Sequence, residues 1–168
     1  MDYRAPDYSQ VFAERAERLR KLRADPRLVQ ASKMHYRQAP WDFVRDWGMT
    51  FDPRKIETGG LTNIPFLPWP RQVEYMQWLM QQWRSGERGL VEKSRDCGVT
   101  WLSVGFAVAL WCCYDGVAIG FGSRKEVLVD KLGDPDSIFE KIRHFVSHIP
   151  RELLPPGFDP KEHSTYMR

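Results

Sequence analysis

The chain has 168 residues, of which 42% are hydrophobic and 28% charged, with a net charge of +3 and three cysteines. That composition excludes a disordered chain and a disulfide scaffold, and the length is enough for one domain with a buried core. The mild positive charge is compatible with a nucleic-acid partner without requiring one.

The opening "MDYRAPDYSQ" has no apolar core, so no signal peptide is expected, and the chain is expected to be cytoplasmic. Cys97, Cys112 and Cys113 form no C-x-x-C pair and lie at no metal-ligand spacing from a histidine, so they read as reduced thiols.

Residues 11–24 read as a charged helix. Phe12, Ala16, Leu19 and Leu22 share one face, while Arg15, Arg18, Arg20, Lys21 and Arg23 crowd the rest, and Pro26 closes it. A solvated face is the simpler reading of those cations, a nucleic-acid patch the other. In "PWDFVRDWG" (40–48), Pro40 suits a first helical turn and Gly48 a stop. Residues 59–70 are punctuated by Gly and Pro and read as a loop. "RQVEYMQWLMQQW" (71–83) is a helix with Val73, Met76, Met80 and Trp83 in its stripe.

"GLVEKS" (89–94) reads as a buried strand and the apolar run from Val99 to Tyr114 as a buried helix. That run is 16 residues long, short of the roughly 20 that span a bilayer. Val117, Ile119 and Phe121 mark a second strand. Strand, loop, helix and strand make the crossover unit of a parallel sheet. "SRKEVLVDKL" (123–132) reads as a helix with Leu128 and Leu132 inward. Asp134 and Pro135 open another, whose stripe is Ile138, Ile142, Phe145 and Ile149. Residues 163–168 can begin a further strand.

The turn between strand and helix carries the chemistry. "KSRDCGVT" (93–100) follows the phosphate-loop pattern G-x-x-x-x-G-K-[ST] in its glycine, Gly98, and its hydroxyl, Thr100. The lysine, however, stands at the first slot as Lys93, and Val99 holds the lysine's usual place. Such a loop aims backbone N–H groups at phosphate oxygens, a helix N-terminus adds partial positive charge, and the hydroxyl joins a Mg²⁺ shell. Lys93 has a flexible stem that can reach the phosphates from the loop's other end, and Arg95 is a second cation. An ordinary strand–helix turn explains the same residues. The second feature is "PWPRQ" (68–72). Gln72 can pair with an adenine edge, donating and accepting at once, and Trp69 or Phe66 can stack on the ring. The simpler reading of Gln72 is a solvent-facing residue at a helix start.

Together the two features resemble the large terminase subunit of tailed phages and prophages, the ATPase motor that packages viral DNA. The resemblance rests on residues 35–54, 65–79, 89–102 and 147–158. It implies an α/β fold, a P-loop NTPase three-layer α/β sandwich, here incomplete: residues 1–58 would be a helical, aromatic-rich extension and 59–168 a partial ATPase domain. It implies ATP and Mg²⁺ as ligands and a deviant Walker A loop. In that loop Lys93 would hold the β and γ phosphates, with Ser94, Arg95, Asp96, Cys97, Gly98 and Val99 around them. Thr100 would bind through Mg²⁺, Gln72 would read adenine, and Lys93 and Arg95 would be the catalytic cations. It also implies double-stranded DNA, the portal protein and the small terminase subunit as partners, a ring homo-oligomer on docking, and the host bacterial cytoplasm as location.

One departure matters. The Walker B strand and the nuclease domain of that family are not found in these residues. "EVLVDK" (126–131) is the nearest look-alike, and Lys131 stands where the catalytic glutamate belongs. The expectation is therefore an N-terminal part that binds nucleotide without useful hydrolysis. Arg124 and Arg143 are the candidates for an arginine acting in trans. A fragment of another P-loop nucleic-acid enzyme, such as a helicase, is the first alternative, although Val99 counts against it. A non-catalytic assembly module, with the Trp-rich segment 41–69 as its interface, is the second.

Overall fold

Val99–Cys113, helix α5, is apolar on every side, and four other helices are arranged to bury it. The computed structural model describes residues 6–52, 56–57 and 59–164. In chain order these form α1 (Tyr8–Ala24), α2 (Pro26–Gln38), α3 (Pro40–Trp47), β1 (Met49–Phe51), β2 (Asn63–Pro65), α4 (Pro70–Ser85), α5, α6 (Glu126–Val129), α7 (Ile138–Ser147) and α8 (Pro160–His163). Helices α2, α3, α4 and α7 all pack on α5. Leu102, Val104, Phe106, Val108 and Leu110 of α5 are buried, as an all-round apolar helix must be. They join Phe43, Val44, Trp47, Met76, Phe145 and Leu153 in one core.

That core does not divide at residue 58. The antiparallel pair β1–β2 crosses the expected boundary, with Met49 opposite Pro65, Thr50 opposite Ile64 and Phe51 opposite Asn63. The bonds Phe66 N to Gly48 O (2.8 Å) and Asp52 N to Thr62 O (2.9 Å) extend it at both ends. Residues 59–70, expected as loop alone, thus supply a strand. A two-stranded ribbon is marginal by itself. Here it leans on α7 and α1.

The molecule combines helices with a small sheet, and the strands are not where the sequence pointed. Residues 89–94 and 117–121 are unpaired, so among the described residues there is no parallel sheet. Pairing is a tertiary property: an apolar alternation marks a segment able to join a sheet, and a partner strand must still lie beside it. The suggested strand start at 163–168 falls partly outside the described residues, and its described part closes α8.

Pro26 does not simply end α1. Asp25 closes α1 and caps α2, accepting from Arg27 N at 3.0 Å, with Pro26 in the first helical position. The same Asp-Pro signal at 134–135 behaves differently. Asp134 O accepts from Ser137 N at 3.0 Å in a turn. Helix α7 then starts at Ile138 under a Ser137 cap. Helix α6 is a single turn, with Val129 and Asp130 buried and Leu132 exposed, so Val129 replaces Leu132 as the inward residue.

The cations of α1 divide into two sets. Arg15 reaches inward to the Arg45 carbonyl (2.6 Å), and Arg18 pairs with buried Asp46 (3.3 Å). Arg20 and Lys21 pair with Glu17, and Arg23 with Glu152. Val11, Arg15, Leu19 and Leu22 therefore form the inward stripe, and Phe12 is exposed. Asp46 also accepts from Tyr36 Oη at 3.0 Å, and Trp47 Nε1 donates to the same hydroxyl at 3.0 Å. Burial beside Asp46 pushes the Tyr36 phenol up, so it stays a neutral donor.

Candidate nucleotide-binding loop

The loop is built on two left-handed residues. Asp96 has φ 62° and Gly98 has φ 75°. The second is open to glycine without steric penalty, and the first suits an aspartate better than most residues. The turn is pinned internally: the Cys97 thiol donates to Ser94 O at 3.0 Å. Gly98 is the N-cap of α5, and no side chain caps that helix. The first bond from this end is Leu102 N to Gly98 O at 3.0 Å. The amides of Val99, Thr100 and Trp101 consequently have no intrahelical acceptor. The first turn also carries no acidic residue, so the end is left open to an anion.

Gln72 joins the two sequence features. Its Oε1 accepts from Trp69 N at 2.9 Å, closing the first turn of α4. Its Nε2 donates to Cys97 O at 3.2 Å, one residue before Gly98. A Cβ at position 98 would stand 3.2 Å from that same nitrogen. Gln72 is thus a loop anchor rather than a solvent-facing helix residue. One Nε2 hydrogen and one Oε1 lone pair remain available to a further partner.

Tyr75, which carries no motif, completes the support. Its hydroxyl lies 2.9 Å from Ser103 Oγ, and Ser103 Oγ donates to Val99 O at 2.9 Å. Position 75 is one helical turn beyond Gln72, so one face of α4 meets both the turn at Cys97, through Gln72, and α5, through Tyr75. That i, i+3 spacing was available in the sequence as a signal.

The flanking residues are exposed. Lys93 Nζ donates to Ser94 O at 3.2 Å, so the lysine lies along its own end of the loop instead of crossing to the α5 end. Ser94, Arg95, Asp96 and Thr100 are exposed, while Cys97, Gly98 and Val99 are half-buried. Trp69 is 56% exposed beside Gln72 and offers a ring face. Phe66 does not: it is buried in the core, which removes it as a stacking partner.

Comparison with family models, with curated proteins and with solved structures gives no match.

The Walker B look-alike takes no part in the loop. Asp130 is buried and held by Arg143, Oδ1 to Nη1 at 2.7 Å and Oδ2 to Nη2 at 2.9 Å. Arg143 also meets Glu140 at 3.3 Å and donates to Ser164 O at 2.8 Å. An arginine held by Asp130, Glu140 and Ser164 together is a structural clamp, which counts against it as an arginine acting in trans; Arg124 is exposed. Among the described residues no group of three His, Cys, Asp or Glu can hold a metal. No described helix is long and apolar enough to cross a membrane. The three cysteines are free. Burial pushes the Cys113 thiol up to about 11 and Cys112 higher still, so both stay protonated.

Proposed function

We propose that residues 93–100 bind the phosphates of ATP at the N-terminus of α5, and that the chain is the nucleotide-binding part of a DNA-packaging motor of the large terminase type. One observation carries this reading: the Gln72–Cys97 bond couples the adenine candidate directly to the phosphate-loop candidate. Two motifs distant in sequence share one site, as a nucleotide with a base at one end and phosphates at the other requires.

The residues fit the ligand. The uncapped amides of Val99, Thr100 and Trp101 and the left-handed Gly98 suit a phosphate group. Lys93 and Arg95 supply positive charge at the exposed lip, and Lys93 has only a weak local bond to leave. Gln72 and Trp69 suit the base. Thr100 would join the shell of a Mg²⁺ ion that arrives with the phosphates, because no preformed acidic cluster is present among the described residues. In the complete motor the incomplete three-layer sandwich would be extended, and hydrolysis would be coupled to translocation of double-stranded DNA with portal and small-subunit partners. The chain itself is a binder: Asp130 is committed to Arg143, and Lys131 follows it.

Titration with a fluorescent ATP analogue, with and without Mg²⁺, tests this. Binding that weakens about ten-fold or more in Lys93→Ala is expected, since a charge-assisted contact is worth roughly 1.5–3 kcal/mol. Loss in Arg95→Ala with Lys93→Ala unaffected would reassign the cation. No binding at millimolar nucleotide would favour the assembly-module reading, which the exposed Leu90 and the unpaired segments also support.

A further inference from the structure

Between the end of α2, the start of α3 and the C-terminal half of α4 lies a groove of about 470 Å³, within the roughly 300–1,000 Å³ of small-ligand sites. Gln77, Gln81 and Arg84 line it from one strip of α4, at helical spacing. Gln38, the last residue of α2, and Trp41, in the first turn of α3, line it from the other side. Arg84 Nη2 donates to Gln38 Oε1 at 2.6 Å and ties the two walls together. The side-chain amides of Gln77 and Gln81 make no hydrogen bond to any described residue.

The lining has a particular chemistry. Its one charge is a cation, no carboxylate is present, and three carboxamides surround a single aromatic ring. A carboxamide donates and accepts at once, which suits the edge of a heterocycle better than an ion. The half-buried Trp41 indole offers a flat apolar surface, and every base has a π face to lay on it. Arg84 has further N–H groups to turn toward a phosphate.

Rings and cations continue beside the groove. Trp83 and Arg37 are next in sequence to the two ends of the Arg84–Gln38 bond, and both meet Tyr114. The Trp83 and Tyr114 ring centroids are 4.8 Å apart, and the Arg37 guanidinium lies 5.3 Å from the Tyr114 centroid. Trp83 is 41% exposed. A single nucleotide needs one ring and one cation, whereas consecutive nucleotides of a strand use a second of each.

We propose that this groove binds single-stranded nucleic acid, with an unpaired base on Trp41, its edge on Gln77 and Gln81, and its phosphate at Arg84. Gln81 follows Gln72 by nine residues, about 14 Å along α4. The groove is thus separate from the candidate nucleotide loop and stands independently of its function.

Fluorescence anisotropy of a short labelled oligothymidine, titrated with the chain at several salt concentrations, tests this. The strand should bind, and a labelled duplex of the same length should bind more weakly because its bases are stacked inside. Trp41→Ala should weaken strand binding about ten-fold. Arg84→Ala should weaken it and reduce its salt dependence by about one phosphate contact. Circular dichroism confirms that each variant is folded. If Trp41→Ala is unfolded, the double variant Gln77→Ala/Gln81→Ala, whose side chains are exposed, decides the matter by losing affinity about as much. A parent that binds no strand overturns the proposal, as does a duplex bound equally well. Loss in Lys93→Ala with the groove variants unaffected would move the strand to the loop and equally overturn it. Thymidine monophosphate that displaces the strand mole for mole would leave a free-nucleotide pocket in place of a strand site.

Discussion

Gln72 and Cys97 are joined by a bond from the side-chain amide to the backbone carbonyl, 3.2 Å long. The bond spans from the first turn of α4 to the turn before α5. The other end of the same amide holds Trp69 N at 2.9 Å. The two ends separate by substitution. Gln72→Glu keeps the acceptor for Trp69 N and loses the donor to Cys97. Gln72→Ala loses both. We expect the alanine variant to be about 1 kcal/mol less stable than the glutamate variant in urea denaturation. Faster amide exchange at Gly98 and Val99 should appear in both. Unchanged exchange there would show that the loop holds its shape without Gln72.

How much of this was legible in the sequence depends on the range of the interaction. The apolar period of α4, the unbroken apolar run of α5 and the Pro40–Gly48 punctuation mark those helices nearly to their ends. The α1 stripe was rotated because a sequence pattern counts Arg15 as polar, whereas its guanidinium finds the Arg45 carbonyl inside. Strands of three residues such as Met49–Phe51 carry no period, so β1 and β2 were invisible. The segments 89–94 and 117–121 showed strand character, but their pairing depends on neighbours that no local pattern specifies. In the candidate loop, the turn at Gly98 that opens α5 was readable from spacing. The anchoring role of Gln72 was not, because it depends on how α4 packs against α5.

Gly105 is a close junction between three helices of the core, α5, α3 and α7. A Cβ there would lie 2.9 Å from Val44 Cγ2 and 3.2 Å from Phe145 Cε2. Two effects of Gly105→Ala compete. Helix propensity favours alanine by about 1 kcal/mol. Overpacking costs about 1–3 kcal/mol, and Val44 and Phe145 are fully buried with little room to yield. The clash should win, and the variant should be destabilised by about 1 kcal/mol in urea. Val44→Ala in the same background should recover part of the loss of Gly105→Ala relative to Val44→Ala alone, because it removes the nearest obstructing atom. A stabilised Gly105→Ala would show that α3 or α7 shifts at little cost.

Arg143 and Asp130 form the most enclosed ion pair described, with Asp130's side chain 1% exposed and Arg143's 13% exposed. Removing one partner leaves a buried charge behind, which typically costs about 3–5 kcal/mol. Arg143→Ala should therefore lower stability by about that amount. The double variant Asp130→Ala/Arg143→Ala should lose less than the sum of the singles, with a coupling of about 1–3 kcal/mol. Thermal unfolding of the four proteins measures it. Additive losses would mean that the Arg143 contacts to Glu140 and Ser164 matter more than the pair itself.

His144 sits on α7 between rings, 5.6 Å from Trp101 and 4.6 Å from His148 by ring centroids. Its Nε2 is buried without a hydrogen-bond partner among the described residues. Burial first, and the neighbouring His148 second, push its pKa down to about 4, with Glu140 opposing weakly. In the unfolded chain the imidazole titrates near its ordinary value of about 6.5. The folded state thus favours neutral His144. Its contribution is intact above about pH 6.5 and is lost as pH falls toward 4, because the unfolded chain binds the proton first. Carboxylates also titrate at the acid end, so the informative quantity is the difference between the parent and His144→Gln. Urea midpoints measured from pH 7 to pH 4.5 should fall more steeply for the parent, and an NMR titration should find His144 still neutral at pH 5. A folded-state imidazole that titrates near 6.5 would show that the Trp101–His148 pocket admits water.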